Sequence, residues 1–262
     1  MIQLLGGVYV PRTARKKSNS NVYHIVLRGI NRQVIFNDDE DRKRFIFTLK
    51  RYKDKSEYKI FAYCIMSNHV HLLLKAGKEP LETIIRRIAG SFVYWYNSKY
   101  ERIGNLFQDR FKSEPVEDDN YMLTVMRYIH QNPLKAGMVE NIEDYYWSSY
   151  NDYQSDNGIS DTDFILSIFS KNIKTAIAQF NTFNQKDNKD QCIDIKEPKR
   201  KLTDEQLIEM IINNFNIQPA MIKEKCKAEM SLLLRNILLV EGVSTRQLSR
   251  VTGISKGVIW RL

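Results

Sequence analysis

The stretch Ser67–Leu74 (SNHVHLLL) constrains the fold most, because it sets two histidines two positions apart in an otherwise apolar run. A short apolar run of this kind is typical of a buried strand. Successive strand side chains point to opposite faces, so His69 and His71 share one face and Val70 lies on the other. Two imidazoles side by side form half of a divalent metal site. The alternative interpretation is a pair of hydrogen-bonded histidines in the core or across strands.

Strand-like and helix-like patterns alternate around this stretch. The predicted elements are a strand at Val22–Arg28, a helix from an Asn37 cap to about Lys55, strands at Tyr58–Met66 and about His69–Lys75, a helix from Pro80 to the break at Gly104-Asn105, and a strand at Leu106–Val116. The order β-α-β-β-α-β is the ferredoxin-like arrangement of an α+β fold. Its first and third strands form the central pair, so the histidines are expected at the middle of the sheet.

A further helix is predicted at Asp118–Asn132, ending before Pro133 because proline disfavours helical geometry at the preceding residue. Tyr128 and Asn132 are four residues apart and therefore share one helix face. A phenol has a pKa of about 10, so Tyr128 could act as a nucleophile only with help from a metal ion or a neighbouring positive charge. The alternative is that Tyr128 is a packing residue, as most tyrosines are.

The two histidines limit the choice of metal ion. Two neutral nitrogen donors are compatible with Mn²⁺, and with Mg²⁺ if oxygen atoms fill the other positions. The amide oxygen of Asn132 is a candidate third ligand, and the neighbouring Gln131 is the alternative. A zinc site normally needs a third nitrogen, sulfur or carboxylate ligand, which no residue supplies at typical spacing.

The second half of the chain has a different character. Tyr145–Tyr150 is expected to pack onto the first unit, and Phe164–Phe180 reads as one helix. Thr203-Asp204-Glu205 is expected to cap a helix, and a further helix is predicted at about Ala228–Val240. The pattern of Val243–Leu262 fits helix-turn-helix spacing. The predicted regions are a basic arm at 1–20, a ferredoxin-like domain at 21–150, a helical extension at 151–180, a polar linker at 181–201 and a helix-turn-helix domain at 202–262.

A net charge of +9 indicates a polyanionic partner, with nucleic acid first. The candidate DNA-contacting residues are Arg28, Arg110, Lys112, Arg246, Arg250 and Lys256. Three well-separated cysteines form no CxxC pair, which argues against a zinc ribbon or a disulfide framework. No apolar run reaches membrane-spanning length, so we expect a cytoplasmic protein with no membrane contact.

Several segments resemble one family. NHVHLLL resembles the His-hydrophobe-His motif of the HUH endonucleases, and NLFQDRFKS, RYIHQNPLKAGMV and YYWSSY resemble segments of the single-tyrosine HUH transposases. The resemblance is to the insertion-sequence-like branch associated with repetitive extragenic palindromes (REPs). It covers residues 22–180 in order, and the helix-turn-helix tail lies outside it.

The resemblance implies a metal-dependent enzyme that cuts single-stranded DNA beside a hairpin and transfers the strand. Tyr128 matches the nucleophile that becomes joined to the 5′ phosphate, and His69 and His71 match the metal ligands. Asn132 falls where the family places a third polar ligand.

Other interpretations remain open from the residues alone. The same fold could be a DNA-binding regulator without cleavage activity, or an unrelated His-x-His metalloenzyme acting on a small molecule. The C-terminal domain could bind duplex DNA. The chain is expected to be a monomer or a homodimer.

Overall fold

The computed structural model describes residues 15–155, 158–193, 202–240 and 242–261. The chain divides into two compact units, residues 1–194 and 195–262. Most of the predicted basic arm (residues 1–14) and the end of the predicted linker (residues 194–201) lie outside the described residues.

The first unit is built on a four-stranded antiparallel sheet. Its strands are β1 (Val22–Arg28), β2 (Lys59–Ile65), β3 (His69–Lys75) and β4 (Lys112–Pro115), in the spatial order β2-β3-β1-β4. This is the ferredoxin-like order, so the predicted α+β class and the central position of the histidine strand are confirmed.

Helices cover both faces of this sheet. Helices α1 (Asp39–Ser56) and α2 (Leu81–Lys99) pack on one face with an apolar cluster that includes Ile25, Leu72 and Phe92. Helix α3 (Asp119–Lys135) packs on the other face. Because β1 and β3 are buried on both faces, they read as nearly continuous apolar runs rather than as alternating ones.

Two predicted boundaries in this sheet and its first helix were wrong. The fourth strand begins at Lys112 rather than at Leu106, because Asp109 adopts a left-handed conformation (φ 46°) and breaks the extended chain. Only an isolated bridge between Phe107 and Gly29 precedes it. Asp38, not Asn37, caps α1, in a capping box with Asp41.

Two later helices also differ from expectation. Helix α3 continues through Pro133 to Lys135, although proline supplies no backbone donor, and the Asn132 side chain donates to the Tyr128 carbonyl (2.8 Å) one turn earlier. The single helix predicted at Phe164–Phe180 is two, α4 (Thr162–Phe169) and α5 (Ile173–Gln185). The break falls where Asn172 caps α5 by accepting from the Thr175 amide.

The segment after α3 packs onto the first unit as predicted. The Tyr145 hydroxyl donates to the Ile65 carbonyl, and Ser148 forms a bridge with Cys64 on β2. The three cysteines are free, and Cys64 is buried.

The second unit contains four α-helices in its described part. They are α6 (Asp204–Phe215), α7 (Lys227–Leu239), α8 (Thr245–Thr252) and α9 (Lys256–Ile259). Thr203 forms a capping box with Gln206, and Ser244 caps α8 as predicted. Gly253 turns the chain after α8 with a positive φ of 72°. No helix in the described ranges of either unit is long and apolar enough to span a membrane.

Candidate active site

The strand pairing places the two histidines at the centre of the sheet. His71 lies opposite Val26 on β1 and opposite Cys64 on β2, and His69 lies opposite Arg28. Directly opposed residues in an antiparallel pair share a face, so Arg28 lies beside His69 on the α3 side of the sheet. The rigid middle of the fold therefore carries the candidate ligands.

His71 is fully buried, and its two ring nitrogens have different surroundings. Its Nδ1 lies 3.0 Å from Nε2 of His24, which is on β1. Its Nε2 is buried and has no hydrogen-bond partner among the described residues. Burial, with the nearby His24 and His69, holds the pKa of His71 well below its usual value. The imidazole is therefore neutral at neutral pH, which is the form that binds metal ions.

His24 continues this contact to the edge strand. Its Nδ1 lies 2.9 Å from Oε1 of Glu114 on β4, and the Ile193 amide donates to the same oxygen. Burial alone would raise the pKa of Glu114, but the hydrogen bonds from His24 and Ile193 hold it below its usual value. Glu114 is therefore an ionised acceptor behind the histidines.

His69 lies nearer the surface. Its Nδ1 is 2.6 Å from the Asn68 side-chain oxygen, and its ring centroid is 4.9 Å from that of His71. The adjacent side chain thus orients His69 beside the buried Nε2 of His71.

Helix α3 brings Tyr128 over the histidines. Its ring makes edge contacts with His71 (5.8 Å between centroids) and His24 (5.9 Å), and the residue is 7% exposed. Nζ of Lys135 lies 5.2 Å from the same ring. A tyrosine selected from the sequence as a candidate nucleophile therefore lies against the candidate metal ligands.

The two candidate third ligands have different positions. Asn132 uses its amide nitrogen on the Tyr128 carbonyl, so its oxygen is the atom that it can offer to a cation. Gln131 is buried, and its amide donates to the Asn184 and Lys186 carbonyls and accepts from the Asn188 side chain. Gln131 is thus occupied with holding the segment after α5 against α3.

The same segment is held by an ion pair. Arg127 forms a two-point contact with Asp190 (2.8 and 3.0 Å), and its guanidinium lies over the Phe183 ring. The first unit therefore continues past residue 181, where the sequence analysis places the start of a linker.

His130 provides a contrast to His71 on the same face of the sheet. It is also fully buried, but one nitrogen is bonded to the Asn184 side chain and the other to the Ser149 hydroxyl, both at 2.9 Å. Burial lowers the pKa of His130 to about 4, so it stays neutral. With both nitrogens used, His130 is a structural histidine.

The residues present fit a metal ion, although among the described residues no three His, Cys, Asp or Glu side chains form a ligand group. A buried imidazole nitrogen without a partner is costly unless something binds it. His71 Nε2 is such an atom, and His69 lies beside it. An amide oxygen from Asn132 would add an oxygen donor, which suits Mg²⁺ or Mn²⁺.

A basic groove runs along the outer edge of the sheet. It lies between α2 and the segment 105–115, and its volume of about 1560 Å³ exceeds that of a typical small-molecule pocket. The cations that line it are Arg15, Lys16, Arg86, Arg110 and Lys112. Burial and the neighbouring positive charge of Arg110 lower the pKa of Arg15, so like charges are concentrated here. Tyr94, 82% exposed, adds an aromatic face.

The remaining candidate DNA contacts lie in the second unit. Arg246 and Lys256 are exposed on α8 and α9. Arg250 is bound by both oxygens of Asp204, at 2.8 and 3.0 Å. Its charge is therefore partly neutralised within the unit.

The sequence did not identify His24 and Glu114 as parts of the site. His24 stands in an apolar strand (VYHIVLR) and reads as a core residue. Its position on the same face as His71, one diagonal step away, depends on the strand register. The available signal was His24 itself, a histidine in the strand that was predicted to lie beside the strand of His69 and His71.

Comparisons with known proteins agree on one family. Residues 17–132 match the model of the family described as "Transposase IS200 like". A candidate REP-associated tyrosine transposase of Haemophilus influenzae is 30% identical over 114 residues, covering 38% of this chain and 64% of that protein. The chain thus spans less than two thirds of the length of this relative.

A solved structure shares the fold. It is a REP-associated tyrosine transposase bound to a REP hairpin, with a TM-score of 0.50, 17% sequence identity, and coverage of 57% of this chain and 88% of that chain. At this identity the likeness establishes the fold alone.

Proposed function

We propose that this protein, whose residues 17–132 match the model of the IS200-like transposase family, is a metal-dependent single-strand DNA endonuclease and strand transferase. Its substrate is DNA with a hairpin beside the cleavage site. Tyr128 is the nucleophile, and His69, His71 and Asn132 hold Mg²⁺ or Mn²⁺.

One observation carries this proposal. The buried Nε2 of His71 lacks a partner among the described residues, and the ring of Tyr128 lies 5.8 Å from the same imidazole. A purely structural histidine would be satisfied on both nitrogens, as His130 is. A nucleophile candidate beside an available metal ligand is the arrangement that phosphoryl transfer by a tyrosine requires.

The residues divide the reaction among them. The Tyr128 oxygen bonds to the scissile phosphorus as the phenol loses its proton, and the bond to the 3′ oxygen breaks, so that oxygen takes up a proton and leaves as a 3′ hydroxyl. Arg28, beside His69 on the same sheet face, is placed to contact a phosphate oxygen. A bound divalent ion would act as a Lewis acid on the phosphate. The 5′-phosphotyrosine conserves the energy of the phosphodiester for rejoining.

Asn132 is the better third ligand. Gln131 would have to release three hydrogen bonds to the end of α5 and the segment after it before it could turn toward a metal ion. The Asn132 oxygen is already presented by the bond between its amide nitrogen and the Tyr128 carbonyl. That bond also couples ligand and nucleophile on one turn of α3.

The basic groove is proposed to hold the DNA strand. Its cations suit phosphates, and the exposed Tyr94 ring suits stacking against a base. Lys112 also lies on the site face of β4, opposite Val26, so the groove reaches the edge strand that pairs with β1. Its path therefore leads toward the candidate active site.

Removing two groove cations is expected to weaken DNA binding without affecting chemistry in the bound complex. For the variant Arg110→Ala/Lys112→Ala, the slope of log K against log salt should fall by about 0.7 for each phosphate that the variant no longer neutralises. Binding of a single-stranded hairpin oligonucleotide, titrated by fluorescence anisotropy at several salt concentrations, measures both the affinity and this slope. Lys50→Ala is the matched control, since Lys50 is exposed on α1 outside the groove. If Lys50→Ala weakened binding of the oligonucleotide as much as Arg110→Ala/Lys112→Ala does, the groove would be excluded as the path of the DNA.

The function itself is tested by detecting a covalent adduct on denaturing gels. The full chain is incubated with single-stranded hairpin oligonucleotides copied from the flanks of its own gene, with Mn²⁺ or with a chelator. An adduct that needs the metal supports the nuclease. Shifted complexes on native gels with no adduct under any metal would favour the DNA-binding regulator instead.

The second unit is proposed to bind duplex DNA. Arg246 and Lys256 are exposed on the two helices that flank Gly253, as expected for phosphate contacts of a helix-turn-helix. Arg250 would contribute only after leaving Asp204. The protein is proposed to act in the cytoplasm as a monomer or a homodimer.

A further inference from the structure

The hydrogen bonds behind His71 form a chain that begins at a carboxylate. Oε1 of Glu114 lies 2.9 Å from Nδ1 of His24, and Nε2 of His24 lies 3.0 Å from Nδ1 of His71. Both histidines are fully buried, so water does not compete for these nitrogens. The positions of the ring protons on His24 and His71 are therefore set by the hydrogen bonds among Glu114, His24 and His71.

The carboxylate end fixes the direction of the chain. The Ile193 backbone amide donates to Oε1 of Glu114, at 2.9 Å, so this oxygen is an acceptor. His24 must then donate to it from Nδ1. A His24 ring that carries only this proton leaves Nε2 unprotonated, and Nε2 then accepts from Nδ1–H of His71.

We propose that Glu114 and His24 form a proton-ordering relay that holds His71 in its Nδ1–H tautomer and so directs the Nε2 lone pair toward the metal position. His24 and Glu114 are positioning residues, because neither reaches the metal position itself. The inference rests on the proposed function in one respect, namely that a metal ion binds His71.

The opposite tautomer would defeat the site. If His71 carried its proton on Nε2, that N–H would be buried without an acceptor among the described residues, and no lone pair would face the metal position. The neutral histidine side chain in water favours the Nε2–H form, so the protein must supply the opposite preference. Hydrogen bonding at the nitrogen away from the metal is the usual means of ordering a ligand histidine.

The tautomer can be read directly in the metal-free full chain. The protein contains four histidines, so ¹⁵N-histidine labelling gives few signals to assign. Two-bond ¹H–¹⁵N correlation spectra are expected to show a protonated Nδ1 and an unprotonated Nε2 for His71. A protonated Nε2 on His71 in the wild-type protein would overturn the relay.

Two substitutions of His24 separate the relay from simple packing. In His24→Gln the amide occupies the position of Nε2 and can still accept from His71, whereas in His24→Asn it occupies the position of Nδ1 and can satisfy only Glu114. We expect Mn²⁺ affinity, measured by electron paramagnetic resonance titration, to fall about 10–100-fold in His24→Asn. His24→Gln should stay near the wild type. His71 should shift toward the Nε2–H tautomer only in His24→Asn.

The outcomes distinguish the relay from the proposed function. Equal Mn²⁺ affinities in the two variants, at similar thermal unfolding midpoints, would overturn the relay even if the wild-type protein forms the DNA adduct. The expected tautomers without any metal-dependent adduct would support the relay and contradict the nuclease. Glu114→Gln, which keeps an acceptor oxygen but removes the charge, is expected to preserve the tautomer.

Discussion

Replacing Tyr128 with phenylalanine is expected to abolish the covalent protein–DNA adduct. The substitution removes only the attacking oxygen, so the cleavage rate should fall by at least about 1000-fold. The phenylalanine ring retains the edge contacts with His24 and His71, and Tyr128 is nearly buried, so the fold should persist. Hairpin binding should therefore remain close to that of the wild type. Denaturing gels measure the adduct and native gels measure binding.

The matched control for this variant is Tyr52→Phe. Tyr52 lies on α1, on the opposite face of the sheet, and is only partly buried, whereas Tyr121 on α3 bonds Glu114 behind the histidines. We expect Tyr52→Phe to form the adduct at a rate near that of the wild type. An adduct in Tyr128→Phe would show that another residue attacks the phosphate.

His69→Ala is expected to reduce cleavage on the order of 100-fold or more, because it removes one of two nitrogen ligands from a Lewis-acid site. His69 is only partly buried, so the alanine leaves less of a cavity than it would at His71. Binding of the hairpin should weaken much less. Single-turnover cleavage rates over a Mn²⁺ titration give the rate at saturation and the apparent metal affinity separately.

A different histidine provides the control for this variant. His130→Gln replaces a buried imidazole whose two nitrogens are both bonded within the protein. It is expected to lower stability while leaving the Mn²⁺ dependence of cleavage unchanged. A His69→Ala enzyme with wild-type rates at every metal concentration would contradict the assignment of His69 as a ligand.

The sequence was sufficient to predict the central strands. Strands β1 and β3 begin and end at the predicted residues. Each is a nearly continuous apolar run bounded by polar residues or glycine, which leaves little choice of where the strand begins and ends. The fourth strand was overextended because Phe107 and Phe111 alternate with polar residues as a strand would. Both pack on the core, yet Asp109 between them is left-handed. Such a conformation is decided by tertiary packing.

Part of the candidate site lay beyond sequence reasoning for a related reason. His69 and His71 could be selected from their spacing in the chain, and Tyr128 from the resemblance to the single-tyrosine HUH transposases. Glu114 and His24 are separated by about ninety positions, and their contact exists only in the register that pairs β1 with β4. The effect of Pro133 was also misjudged, because α3 continues through the proline to Lys135.

The pairing of β3 between β1 and β2 has a consequence for motion at the site. His71 is paired with Val26 on β1 and with Cys64 on β2, so hydrogen exchange in the middle of β3 requires the sheet itself to open. Tyr128 lies on a helix attached by side-chain packing, which can shift without breaking those ladders. We therefore expect slower amide exchange around the candidate ligand His71 than in the helix that carries the candidate nucleophile.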